Sequence, residues 1–104
     1  MTLDQLRIFI AVAEREHVTQ AATALNLTQS AVSAAIAALE ERHAVRLFDR
    51  VGRRIMLTEA GRLFVSEARS VLARSEQAER VLGDLAVNWG WRRARRSPIT
   101  GSRR

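Results

Sequence analysis

One short stretch of the chain gathers hydrogen-bonding side chains and no bulky charge: Thr28, Gln29, Ser30 and Ser33, interleaved with Ala31, Ala34 and Ala37. An amide offers a donor beside an acceptor and a hydroxyl offers both from one atom, so the set suits the edge of a flat hydrogen-bonding partner. A second stretch carries Arg42, Arg46, Arg50, Arg53 and Arg54 against the single carboxylate of Asp49. Guanidinium forks match phosphate oxygens. The two together have the division of labour of a duplex-DNA surface, in which base-edge groups specify and cations on the backbone position. On that reading Gln29 pairs with an adenine edge, Ser30 and Ser33 donate to or accept from either groove edge, and Ala34 packs on a thymine methyl. Thr28 and the free amides of the first helical turn hold a phosphate at the positive end of the helix dipole. Arg50, Arg53 and Arg54 supply counterion-releasing contacts. Two plainer readings compete: an alanine-rich surface chosen for helix propensity, and an exposed hairpin kept soluble by arginine.

These residues need a scaffold, and the spacing predicts one. Thr2 is suited to cap a helix over residues 3 to 15, in which Leu6, Phe9, Ile10 and Ala13 recur on one face. Thr19 to Leu25 reads as a short second helix with Ala21, Ala22 and Leu25 inward. Asn26 suits a left-handed end and Thr28 a new cap, so the link to the third helix is tight, the mark of a helix-turn-helix. That third helix, Gln29 to Arg42, places Val32, Ile36 and Leu39 on one face and the hydrogen-bonding set on the other. Residues 45 to 50 and 55 to 58 alternate about the basic tip Val51-Gly52-Arg53-Arg54 and read as a two-stranded wing. From Thr58 a long helix runs to Ala86 or Asn88, with Ala60, Phe64, Ala68, Val71, Ser75, Ala78, Leu82 and Leu85 at alternating steps of four and three. At 1.5 Å per residue it spans roughly 42 Å, longer than so small a globule covers, and the surplus stripe predicts a second copy. A helix folded back over its own core is the alternative.

Composition narrows the function. The chain has 104 residues, room for one modest core. It has no cysteine, so no disulfide or thiolate metal site is expected, and a reducing, cytoplasmic setting near the nucleoid follows as an expectation. The amino-terminal stretch, interrupted by Asp4 and Arg7, does not read as a signal peptide, and no run has the ~20 apolar residues of a membrane span. The net charge of +6 sits in the tail: residues 1 to 88 hold eleven arginines and eleven carboxylates, and residues 89 to 104 the other six arginines. His17 and His43 stand alone at helix ends, with no metal-ligand spacing and no adjacent nucleophile. Neither an enzyme, a cofactor nor a metal site is expected.

The order of elements and the local sequence together resemble the amino-terminal domain of the LysR-type transcriptional regulators. The matching residues are Leu6-Arg7-Ile8-Phe9 and Ala11-Val12-Ala13, then Thr19-Gln20-Ala21-Ala22 and Ala24-Leu25, then Thr28-Gln29-Ser30-Ala31-Val32-Ser33 and Ala38-Leu39-Glu40. Leu47-Phe48-Asp49-Arg50 and Leu57-Thr58-Glu59-Ala60-Gly61 complete the set, which covers about residues 2 to 86. The resemblance implies a DNA-binding homodimer held by the long helix, with the third helix in the major groove and the wing on the backbone or minor groove. It also implies an effector-binding domain beyond the long helix; this chain instead continues into Trp89-Gly90-Trp91-Arg92-Arg93, which reads as a truncated, frame-shifted or cloning-derived ending without an effector site. The family commonly has proline near position 30, arginine and glutamine at positions matching Ala34 and Ala35, and a polar or basic residue near Ala37. With Ser30 and three alanines here, the carried-over base-reading role rests on Gln29, Ser30 and Ser33.

The expected architecture is therefore mainly α: a winged helix-turn-helix of three helices and a two-stranded wing over 1–58, a dimerisation helix over 59–88, and a basic, disordered tail over 89–104. The expected partners are double-stranded DNA and a second copy joined through Phe64, Ala68, Val71, Ser75, Ala78, Leu82 and Leu85, with no membrane partner. Two other functions stand beside sequence-specific regulation. One is a dimerisation module forming mixed dimers with a full-length relative; the other is a nonspecific binder driven by Trp89, Trp91 and Arg92 to Arg96.

Overall fold

A computed structural model describes residues 1–52 and 54–89. The elements are α1 (Leu3–Arg15), α2 (Val18–Leu25), α3 (Gln29–His43), β1 (Phe48–Val51), β2 (Arg54–Leu57) and α4 (Glu59–Asn88), with the strands forming one antiparallel wing. Two compact units result, Met1–Leu72 and another that begins at Ala73.

Side-chain caps set the helix starts. At α1 the Gln5 N–H donates to the Thr2 hydroxyl oxygen (3.1 Å) while the Thr2 N–H donates to Gln5 Oε1 (3.0 Å), a reciprocal capping box. α2 begins one residue before its predicted start because His17 Nδ1 accepts the Gln20 N–H at 3.1 Å. Thr28 caps α3 by accepting the Ala31 N–H at 3.0 Å. Glu16, Asn26 and Ala44 end the three helices in the left-handed region, with φ of 53°, 60° and 53°. The αL turn at Asn26 keeps the α2–α3 link short and tilts the two helices to 108°.

The core of the first unit lies where the three helices meet. Leu6, Phe9 and Val12 of α1 face Ala21 and Ala22 of α2 and Val32, Ile36 and Leu39 of α3, all buried. Small alanines on α2 bring the helix backbones close, and each fully buried Leu, Phe or Val contributes roughly 1.5–3 kcal/mol. Phe9 ties this core to the other elements: its ring lies 5.4 Å from that of Phe48 on β1 and 5.0 Å from that of Phe64 on α4.

β1 is shorter than the alternation predicts, because residues 45–47 use their backbone groups elsewhere, and β2 keeps four residues but begins one earlier, at Arg54. The Glu40 carboxylate accepts the N–H groups of Leu47 (2.7 Å) and Phe48 (3.3 Å). The Leu47 carbonyl accepts the Thr58 N–H at 3.0 Å, and the Arg46 carbonyl accepts the Thr58 hydroxyl at 2.7 Å. Thr58 also caps α4, accepting the Gly61 N–H at 3.0 Å. Pairing starts only at Phe48↔Leu57 and runs to Val51↔Arg54, and Gly52 turns the tip with φ +63°.

The seam expected along α4 needs correction in its first half. Ala68 exposes no surface and Phe64 packs on Phe9, so both belong to the protomer's own core, with Gly61 and Val65 beside them. Phe9 of α1 supplies cover for Phe64. Arg69 donates to Glu14 at 3.3 Å and fastens the same stretch to α1. In the unit beginning at Ala73, helix continues to Asn88, and Val81, Leu82, Val87 and Trp89 are exposed. Among the described residues no single helix is long and apolar enough to cross a membrane. The expectation of a disordered basic tail falls, beyond Trp89, outside the described residues.

Candidate nucleic-acid interface

α3 is rotated by its buried side. Val32, Ile36 and Leu39 point into the core, and the 3.6-residue repeat then turns Ser30, Ser33, Ala34 and Ala37 away from it, all exposed; Gln29, nearly one turn before Val32, is exposed because it opens the helix. Thr28 is also exposed, its hydroxyl oxygen engaged by Ala31 and its hydrogen free to donate outward. The amides of Gln29 and Ser30 open the helix and have no intrahelical acceptor. The helix start thus presents backbone donors, an amide and two hydroxyls from one surface. Alanines beyond them let that surface approach a partner closely.

The wing brings one arginine to this surface. Directly paired residues of an antiparallel ladder share a face. Arg50 is paired with Ile55, and Phe48 with Leu57, so Arg50 lies on the face that closes over the helices. It lines, with Ser33, Ala37 and Arg46, a cleft of about 200 Å³ floored by Ile36, Phe48 and Ile55. The sequence marks Arg46 only as part of the arginine-rich stretch. Its guanidinium is held by Asp49 (3.5 Å) and by the Phe48 carbonyl (3.4 Å), both local contacts that leave it exposed.

Arg54 is placed differently. It pairs with Val51 on the other face of the ladder, and its guanidinium donates to the Glu16 carboxylate at 2.6 Å. This contact joins β2 to the turn between α1 and α2. Arg53 lies outside the described residues. Of the residues singled out, Ser33 and Arg50 are therefore brought to one cleft, Thr28, Gln29, Ser30 and Ala34 are exposed on and before the same helix, and Arg54 is occupied by a carboxylate distant in sequence. Glu40 is a further contributor: by accepting two amides of the segment after α3 it fixes where the wing departs. No local pattern announces that contact. Among the described residues no group of three or more histidine, cysteine or acidic side chains is placed to hold a metal.

Comparison with known proteins bears on the family and the fold. Residues 3–62 match the family model described as bacterial regulatory helix-turn-helix protein, lysR family. An uncharacterized HTH-type transcriptional regulator of Azotobacter vinelandii is 49% identical over 85 residues, covering 82% of this chain and 59% of that protein. A probable RuBisCO transcriptional regulator of Thalassiosira pseudonana is 44% identical over 84 residues, covering 81% of this chain and 27% of that protein. The chain thus spans less than two thirds of these curated relatives. Among solved structures, the BenM DNA-binding domain in complex with catB site 1 DNA superposes with a TM-score of 0.79 at 32% identity, over 83% of this chain and 96% of that one. Full-length CbnR complexed with its target DNA gives a TM-score of 0.77 at 35% identity, over 83% of this chain and 30% of that one.

Proposed function

The chain belongs to the lysR family of bacterial regulatory helix-turn-helix proteins and carries that family's DNA-binding domain, and from this premise we propose that it binds duplex DNA sequence-specifically as a homodimer and so regulates transcription. The observation that carries the reading is the exposure of Gln29, Ser30, Ser33 and Ala34 on α3 beside the cleft that Ser33 and Arg50 line together. A helix with this side in the major groove brings the Gln29 amide and the two hydroxyls to base edges. Thr28 and the opening amides of α3 meet a flanking phosphate. Arg50, with Arg53 and Arg54, supplies the backbone contacts that the alanine-rich helix does not. The named BenM and CbnR structures are DNA complexes of this same fold, which supports duplex DNA as the partner.

Dimerisation is proposed through the part of α4 that the core leaves uncovered: Val71, Ser75, Ala78, Leu82 and Leu85. Val71, Ala78 and Leu82 are exposed, the last at 66%. Within the first unit, Met1, Leu39, Val45, Ala60 and Phe64 line an open apolar cleft of about 300 Å³. Two copies read two half-sites about one helical turn apart or a multiple of it. The domain division that goes with this function is a reading unit through Thr58 and a joining helix over 59–88.

The test is a carboxylate placed on the exposed side of α3. Ala37→Glu keeps helix propensity within ~0.5 kcal/mol and disturbs no core contact, so the far-UV circular dichroism and melting temperature stay near wild type. Duplex binding, followed by fluorescence anisotropy, is expected to fall at least tenfold through repulsion of phosphate. Undiminished binding by a folded Ala37→Glu protein would remove α3 from the interface.

A further inference from the structure

Arg50 and Arg54 flank the same wing tip, yet they stand in different electrostatic states. Arg50 forms no ion pair among the described residues and lines the cleft beside Ser33. Arg54 is engaged at 2.6 Å by Glu16, the shortest ion pair among the described residues and one that spans 38 positions of sequence. Glu16 is itself tightly placed: it ends α1 in the left-handed conformation, with its N–H donating to Val12 at 2.7 Å. Its carboxylate is about one third exposed and Arg54 about two thirds, so the pair sits at the protein surface. A duplex phosphate offers the same anionic oxygens to the same guanidinium.

We infer that Glu16 is a positioning residue that stands in for a DNA phosphate, holding Arg54 in the free protein and lowering its contribution to duplex affinity. The inference rests on the proposed duplex binding and concerns only how the wing takes part in it. Binding exchanges one anion for another at Arg54. Part of the gain from releasing a counterion at that phosphate is offset by exposing the Glu16 carboxylate again, close to a polyanion. Arg50 has no such exchange to make. Arg50 and Arg54 thus differ in worth although both are exposed, and the chain's sequence-independent affinity is held down by a residue remote from α3.

The experiment compares wild type, Glu16→Gln, Arg54→Ala and the double variant on a mixed-sequence duplex over a series of salt concentrations. Glutamine keeps the length and left-handed backbone of position 16 and removes only the charge. Glu16→Gln is expected to tighten binding roughly two- to fivefold per protomer, the range of an exposed ion pair. The slope of log K against log salt should steepen by roughly one unit per protomer. Adding Arg54→Ala should abolish both gains, and Glu16→Asp should restore wild-type behaviour. Weaker binding by Glu16→Gln would show that the pair holds the wing in its docking pose, and unchanged affinity and slope would show that Arg54 meets no phosphate. Either result overturns the inference alone. A wild-type chain that binds no duplex overturns the duplex reading itself. Melting curves of all five proteins keep folding losses apart from these outcomes.

Discussion

A methyl group added at Gly61 tests the joint between α4 and the segment that precedes the wing. The new Cβ would fall well inside contact distance of the Leu47 carbonyl oxygen, 2.8 Å from Leu57 Cδ2 and 3.2 Å from the Leu47 carbonyl carbon. The nearest atom is backbone, so no side-chain rotation relieves the clash, and the start of α4 must retreat by roughly an ångström to regain ordinary contact. Retreat loosens the bonds from Thr58 to Leu47 and to Arg46, at 3.0 and 2.7 Å, each worth ~1 kcal/mol. Overpacking strain adds ~1–3 kcal/mol, and alanine recovers ~1 kcal/mol of helix propensity. Gly61→Ala should therefore destabilise the protein by about 2–4 kcal/mol and lower its melting temperature by about 10 °C or more. Gly83 is the internal control, since nothing lies within 4 Å of its added Cβ. Gly83→Ala should gain up to ~1 kcal/mol. Thermal and urea denaturation of both variants decide the matter: if Gly61→Ala melts at or above the wild-type temperature, the close approach of α4 to Leu47 is wrong.

Gln29→Ala should cost about 1–3 kcal/mol of duplex affinity and relax preference at one base position, whereas Arg53→Ala should weaken binding to all sequences and reduce the salt slope by roughly one unit, both read by competition titrations. If Arg53→Ala altered preference and left the slope alone, these roles would be misassigned. Ala44→Gly should raise stability by about 1 kcal/mol in urea titrations, because an alanine at φ 53° occupies the left-handed region at a cost that glycine does not bear. Leu82→Glu should yield monomers in sedimentation velocity and weaken duplex binding without lowering α-helix content; a dimer of undiminished affinity would exclude the far part of α4 from the joint.

Much of this fold is legible in the sequence because its signals are local. Thr2 and Thr28 announce their helices, and the four-and-three steps of Val32, Ile36 and Leu39 fix which side of α3 is buried, hence which side faces out. Parts that depend on distant partners are not legible. Alternation predicts strand from Val45, yet Glu40 and Thr58 divert the backbone of 46 and 47 away from pairing. A heptad stripe states that residues 64 and 68 want cover without stating whose; here Phe9 covers Phe64 and Ala68 is sealed in the same core. Arg50 and Arg54 look alike in sequence, and only the strand register and the distant Glu16 separate them. Gly61 reads as a tolerable glycine near a helix end until the Leu47 carbonyl is seen beneath it.

Selecting bound sequences from a random duplex pool with this chain decides whether the exposed side of α3 reads base edges for two joined copies. The predicted result is enrichment of a short motif occurring twice, its copies spaced by about one helical turn or a multiple of it, and lost from the selection when Gln29 and Ser33 are both alanine. A pool that stays random after repeated rounds, or one that enriches only solitary motifs, would contradict it.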